Sequence, residues 1–316
     1  MNLIKLALFL AFLTAAVFSN AFAQEERQKE FRLCVVSKHP EERLTEYTPM
    51  ADYIANRLKE FGIKGAKVIV ALDTDDALKK IRNNELDVIF ESAFSAVTTR
   101  EKAGTIPSLI LWKKQVREYK TLFFVRKDSP IKTLNDLKGK TIVFEDPQST
   151  SAYLMPKAEL IKNSMTVLPL DEKDAPKDAV RYVFAEEELN QIFWVDRKKA
   201  DAGAFSNNDW DELPEKQQGE FRIIHETKYV LRFVASFHSN VPKKLRNAVE
   251  DILINMDQNP EARDTLKKAA RITKIERLTD NDFKSLEYVK KLMRYIDEEM
   301  SSTFPLGVVK DWEHKN

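Results

Sequence analysis

Cysteine is almost absent from this chain: Cys34 is the single one among 316 residues. That excludes a disulfide scaffold and a cysteine zinc cluster, both of which need several thiols. Glycine is scarce too, with seven, which excludes a collagen-like chain. Charge of one sign is missing: 51 Lys+Arg against 50 Asp+Glu leave a formal net charge of +1. A broad nucleic-acid surface needs a basic excess, so no nucleic acid is expected as a partner. The four histidines, His39, His225, His238 and His314, lack metal-ligand spacing, and no pair supports a catalytic triad. No cofactor is expected. Nothing assembles a nucleophile, a base and an orienting group, so an enzyme is the least favoured class.

What is present points to a folded chain. Hydrophobic residues make up 43%, enough for a core, and the length suits about two domains at ~100–200 residues each. The one long apolar run lies at the amino terminus. Lys5 precedes Leu6 to Phe18, and Ala21-Phe22-Ala23 offers the small-x-small cleavage pattern. Residues 1–23 therefore read as a cleavable secretory signal peptide, and the mature protein is expected in the periplasm. The run is short for a spanning anchor, which needs roughly 20 apolar residues.

The body alternates strand and helix patterns. Phe31–Ser37 is an apolar, valine-rich first strand, with Cys34 as a small buried hydrophobe inside it. Tyr47–Phe61 has helical spacing. Lys67–Leu72, Leu86–Phe90 and Ser108–Trp112 are strands, with helices over Thr74–Asn83 and Ser92–Ala103. This βαβ series predicts an α/β fold with a mainly parallel, buried sheet. Further on come a long strand over Tyr119–Arg126, another at Thr141–Phe144 and a third at Asp201–Phe205. Tyr229–Ser236 is strand-like, and helices follow from Pro242.

Candidate chemistry concentrates after Phe144, where Glu145-Asp146-Pro147-Gln148 leads into Ser149-Thr150-Ser151. Ligands of parallel α/β sheets bind at the carboxyl ends of strands. A helix start there offers unpaired N–H groups and partial positive charge, and three hydroxyls add donors. An ordinary N-cap is the plainer alternative. Pro156 lies inside the expected helix, so a kink or a restart is expected there.

These stretches resemble the phosphate/phosphite/phosphonate family of periplasmic solute-binding proteins, partners of ATP-driven importers. The similar segments are Asp128-Ser129-Pro130-Ile131 with Leu134-x-x-Leu137-Lys138-Gly139-Lys140, Ser149-Thr150-Ser151 with Pro156, and Tyr47-Thr48-Pro49-Met50-Ala51-Asp52-Tyr53. Asp201-Ala202-Gly203, Asn259-Pro260-Glu261 and Asp280-x-Asp282-Phe283 add to them. The resemblance implies a type II periplasmic binding protein fold. Two α/β lobes would close on a ligand in a cleft, with crossing hinge strands near Tyr119–Thr121 and Thr227–Leu231. The expected division is 24–118 for the first lobe, 119–228 for the second, and 229–316 for the return and the C-terminal helices.

The resemblance makes Ser149, Thr150 and Ser151 oxyanion ligands and Tyr47 a first-lobe ligand. Departures from the family pattern put Glu91 and Ser92 where a tyrosine-bearing loop is usual, and Glu188 where a histidine is usual. A carboxylate in an anion pocket must take up a proton or meet a cationic part of the ligand. An aminoalkylphosphonate satisfies both ends; alternatively Glu91 and Glu188 lie outside the pocket. Asn207 and Asn208 follow a strand end, and Arg117 and Arg232 flank the expected crossings. Either arginine could supply a bidentate contact to the oxyanion, and Arg232 is the one carried into the candidate site. The expected function is capture of a small phosphonate- or phosphate-like oxyanion by lobe closure, as a monomer that delivers to the membrane permease of an ABC importer. A ligand-sensing subunit for a membrane sensor is the alternative.

Overall fold

The computed structural model describes residues 30–303, so the expected signal peptide and His314 lie outside the described residues. In chain order the strands are β1 (Glu30–Val36), β2 (Gly65–Ala71), β3 (Val88–Glu91), β4 (Ile106–Lys113), β5 (Glu118–Tyr119), β6 (Thr121–Arg126) and β7 (Thr141–Phe144). They continue as β8 (Val167–Pro169), β9 (Val180–Phe184), β10 (Ala202–Ser206), β11 (Phe221–Glu226), β12 (Val230–Leu231), β13 (Val234–Phe237) and β14 (Ile272–Arg277). The helices are α1 (Pro40–Ala55), α2 (Thr74–Arg82), α3 (Ala93–Ala103), α4 (Met155–Lys162), α5 (Asn190–Asp196), α6 (Asn207–Asp211), α7 (Glu215–Gln218), α8 (Lys243–Ile254), α9 (Pro260–Lys268) and α10 (Asp280–Thr303). Among the described residues no helix is long and apolar enough to cross a membrane.

Two compact units share the chain. The first comprises residues 30–91, 99–115 and 235–277, and the second comprises 92–98, 116–234 and 278–303. The first holds a six-stranded sheet of order β14-β4-β13-β3-β1-β2. β1 pairs in parallel with both β2 and β3. A strand flanked on both sides and covered on both faces must be apolar throughout, which is why Phe31, Leu33, Cys34 and Val35 are all buried. α2 starts at the cap Asp73, whose carboxylate accepts the Asp76 N–H at 2.7 Å, and buries Ala77, Leu78 and Ile81.

The second unit holds a sheet of order β11-β6-β10-β7-β9-β8 and a separate two-stranded ladder, β5 with β12. β8, β9, β7 and β10 are parallel neighbours, and β6 runs antiparallel to β10 and β11. α10 groups here rather than with the first lobe, where its sequence position had placed it. It lies against α4 and β12, and the Arg117 guanidinium binds Asp282 at 2.6 Å beside the helix start. The outer boundaries move as well, to 115/116 and 234/235.

Local departures from the sequence expectation have local causes. α1 begins at Pro40, seven residues before Tyr47, because proline is pre-set for the first helical turn and Glu41 and Glu42 favour that end. It stops at Ala55, and Lys59–Phe61 forms a separate 3-10 turn closed by Gly62 at φ +77°. The long strand expected over Tyr119–Arg126 is two strands in two sheets, broken at Lys120.

Gly203 in β10 leaves no room for a side chain, since a Cβ there would stand 2.4 Å from the Phe124 ring. Phe124 is held edge-on by Phe205 at 4.9 Å and by Phe221 at 5.6 Å, so it cannot swing aside. Gly203→Ala should therefore overpack this core and cost about 1–3 kcal/mol. Chemical denaturation of the variant checks this, and an unchanged midpoint would contradict the packing.

Candidate functional site

The second unit brings its chemistry to one sheet edge. β9, β7 and β10 are parallel, so the segments after them, 185–188, 145–151 and 207–209, leave from the same side. β6 is antiparallel to β10, with Thr121 opposite Ser206, so Tyr119 and Lys120 enter at that side too. Such an edge is the usual ligand position of an α/β sheet.

The hydroxyl turn is built as a widened helix start. Ser149 is the cap, and its Oγ accepts the Ala152 N–H at 3.1 Å. Thr150–Leu154 is one π-helical turn, in which the Leu154 N–H reaches back to the Ser149 carbonyl at 3.0 Å. Single π turns concentrate at functional sites. The α-helix restarts at Met155, and Pro156 occupies its first turn, where a missing N–H is tolerated. The Ser151 carbonyl accepts the Thr121 hydroxyl at 2.6 Å, which ties the turn to β6.

One group in this turn is left over. Thr150 is 4% exposed, yet its buried Oγ1 has no hydrogen-bond partner. The Asn208 amide nitrogen, after β10, is a second buried orphan. Buried polar atoms are normally satisfied, and an orphan costs about 1–3 kcal/mol. Two unsatisfied donors at the carboxyl ends of adjacent strands are what an oxyanion would complete.

Asn207 has a different task. Its side-chain oxygen accepts the Lys120 N–H at 2.9 Å, and its own N–H donates to the Lys120 carbonyl at 3.0 Å. This holds the chain where β5 gives way to β6. Tyr119 lies just before the break, and the Arg232 guanidinium lies 5.8 Å from its ring centre. Burial pushes the Tyr119 phenol far above its ordinary range, so it stays protonated.

Carboxyls gather beside these donors. Partly buried Glu188 accepts the Ser206 N–H at 3.5 Å; burial, then Asp209 and Glu145, push its carboxyl well above the usual range. Glu145 is pushed up to about 7, chiefly by burial, against the opposing effect of the Ser149 hydroxyl. Asp209 accepts the Ser206 hydroxyl and returns its N–H to Ser206 Oγ at 3.2 Å. Glu186 and Glu187 are exposed, and Glu186 has a left-handed backbone, φ +66°. The acidic run is thus divided between solvent and interior.

Other sequence candidates sit elsewhere. Tyr47 is in the first unit, 1% exposed, and meets Phe90 edge-on at 6.0 Å. Glu91, also there, is fully buried and accepts the Thr99 hydroxyl at 2.9 Å. Ser92 accepts the Ser95 N–H at 3.3 Å at the start of α3. Cys34 is buried and forms no disulfide. No group of three metal-ligating side chains occurs among the described residues. Tyr119 and Glu145 went unnoticed in the sequence. Glu145 carried a signal, directly following a strand, whereas Tyr119 read as the first residue of a long strand and part of a hinge crossing.

Comparison with known proteins agrees with this architecture. Residues 33–283 match the family described as "ABC transporter, phosphonate, periplasmic substrate-binding protein". The "Phosphonates-binding periplasmic protein" of Escherichia coli (strain K12) is 26% identical over 275 residues, 84% of this chain and 77% of that protein. XAC2383 from Xanthomonas citri, solved with a chloride ion, shares 28% identity at a TM-score of 0.80, over 85% of this chain and 99% of that one. The same protein has also been solved with ATP. PhnD1 from Prochlorococcus marinus (MIT 9301), in complex with methylphosphonate, shares the fold at a TM-score of 0.62 and 15% identity, over 86% and 99% of the two chains. The fold is that of type II periplasmic binding proteins. This chain belongs to the periplasmic phosphonate substrate-binding family of ABC transporters, whose members are binding components and not enzymes.

Proposed function

We propose that the protein captures a small phosphonate- or phosphate-like oxyanion at the edge formed by Ser149–Ser151, Asn208 and Arg232, and delivers it to a membrane permease. The observation that carries this is the buried Thr150 Oγ1, left without a hydrogen-bond partner in a turn whose Ser149 hydroxyl and Ser151 carbonyl are bonded. The named ligands of the relatives, phosphonates, methylphosphonate and ATP, share a tetrahedral phosphorus oxyanion, which supports the reading. Lobe closure as the capture step belongs to the same proposal, with the chain acting as a monomer in the periplasm after removal of residues 1–23. Tyr47 and Glu91 enter it as first-unit candidates and Ser92 as a second-unit one, with Glu91 the weakest because its carboxylate is bonded inside its own unit.

The carboxyls favour a ligand with a cationic end. Both Glu188 and Glu145 are raised above the usual carboxylate range, and an ammonium group beside them would favour their ionised forms, so an aminoalkylphosphonate suits donors and acids together. Calorimetry on protein unfolded and refolded to strip carried-over ligand tests this with phosphate, phosphite, methylphosphonate and 2-aminoethylphosphonate. Thr150→Ala should weaken every ligand by about 10- to 150-fold, the range for a hydrogen bond to a charged group. Glu188→Gln should weaken only the amino compound. Equal wild-type affinity for phosphate and the amino compound contradicts the cationic half of the proposal.

The raised carboxyls also set a pH dependence. A carboxyl whose folded pKa is raised binds more protons folded than unfolded between the two values, so its contribution is full at low pH and fades as pH rises. For Glu145 that window runs from the ordinary carboxylate value up to about 7. Unliganded stability, measured by denaturant titration, should fall from pH 5 to pH 8. Glu145→Gln should reduce that slope and stabilise the protein at pH 8. A slope unchanged in the variant would contradict the assignment.

A further inference from the structure

The second unit carries a pair of large apolar side chains on its surface. Leu189 is 54% exposed and Phe193 is 51% exposed. Leu189 is the helically folded cap of α5 and Phe193 lies four residues on, so the two share a face at roughly 6 Å between Cβ atoms. Single exposed apolar residues are ordinary, whereas an adjoining pair with an aromatic has the composition of an interface centre. The charges around the pair are sorted: exposed Glu186 and Glu187 precede it, and exposed Arg197, Lys198 and Lys199 follow the far end of α5. The pair also adjoins the oxyanion edge, because Leu189 directly follows Glu188, whose carboxyl accepts the Ser206 N–H.

The first unit, taken by itself, repeats the arrangement. In each sheet a first strand lies between two parallel neighbours, β1 between β2 and β3, and β7 between β9 and β10. α2 leads from β2 to β3, and α5 leads from β9 to β10. Just after β2, Leu72 is 55% exposed. Strand ends of the same rank thus each present an exposed leucine with an exposed acid three residues away, Leu72 with Asp75 and Leu189 with Glu186.

We propose that Leu189 and Phe193, with Glu186 and Glu187 at their rim, form the surface by which the second unit docks on the membrane permease, whose matching face carries an apolar recess edged by basic side chains. This rests on the delivery step of the reading above and deepens it by naming where delivery takes place. A ligand held at the carboxyl ends of β7 and β10 leaves by that edge, so the receiving permease meets the protein beside it. The aromatic anchor supplies most of the docking energy. The rim acids set orientation and speed the encounter more than they add affinity.

The test expresses the full chain in its own host after deletion of the chromosomal copy and measures uptake of radiolabelled methylphosphonate. Phe193→Asp should lower uptake at limiting ligand by roughly 10-fold or more. Its calorimetric affinity for methylphosphonate should stay within about 2-fold of wild type, as expected of a surface substitution. Glu187→Lys should slow uptake less, and more at low salt than at high salt. A photoreactive benzoylphenylalanine in place of Phe193 should crosslink to a permease subunit. The same group in place of Lys177, exposed before the amino end of β9, should not. Wild-type uptake that Phe193→Asp leaves intact, with no permease adduct at position 193, overturns the inference and leaves the reading standing. An adduct with a membrane sensor in place of a permease, or a wild-type dimer in sedimentation that Phe193→Asp dissolves, also overturns the inference. No uptake above the deletion strain and no permease adduct at either position overturn the reading and the inference together. If Phe193→Asp loses ligand affinity, its fold is disturbed, and the adduct at position 193, where an aromatic is kept, decides.

Discussion

The clamp of Asn207 on Lys120 is the constraint on which the second unit's chemistry depends. Two hydrogen bonds hold one peptide segment at the sheet edge. They end one strand and begin another, so that β6 enters the sheet while β5 pairs away from it with β12. Thr121, just past the break, then bonds the Ser151 carbonyl and fixes the turn from the other side. Segments from three parts of the sequence are thus tied together by hydrogen bonds between side chains and backbone.

The site holds opposite tendencies a few residues apart. Ser149 to Ser151 and Asn208 present donors, while Glu145, Glu188 and Asp209 present acceptors. Burial moderates them by raising two of the carboxyls, Glu188 well above the usual range and Glu145 to about 7, which reduces the negative charge beside the donors. The same burial leaves Thr150 and Asn208 with orphan atoms that water would otherwise satisfy. Such unsatisfied groups reduce the stability of the unliganded protein and become favourable contacts when a ligand completes them.

Much of the fold was legible in the sequence because its strands are buried on both faces. A strand such as β1 is apolar at successive positions, and such runs separated by helical spacing specify a parallel α/β sheet. The hydroxyl turn was legible too, since a strand end, a cap residue and a helix start follow each other directly. Boundaries were less so: α1 begins at Pro40 because first-turn proline and acids outweigh the apolar spacing that marks only its buried face. The grouping of α10 with the second unit depends on Arg117–Asp282, a pair 165 residues apart, and no local pattern announces it.

The division follows from the range of the forces involved. Local backbone preference and hydrophobic spacing act over a few residues, so the sequence by itself determined the strands, the capped turn at Ser149 and the family resemblance. Which side chains meet at that turn was decided only by tertiary structure. Tyr119, Asn207, Glu188 and Arg232 are far apart along the chain and become neighbours through strand order and the break at Lys120. Glu91 and Glu188 show the same point. Both are acids at departures from the family pattern. One is bonded inside the first unit by Thr99, and the other lies beside Ser206 at the end of β10, because burial and partner are properties of a folded position and not of a residue type.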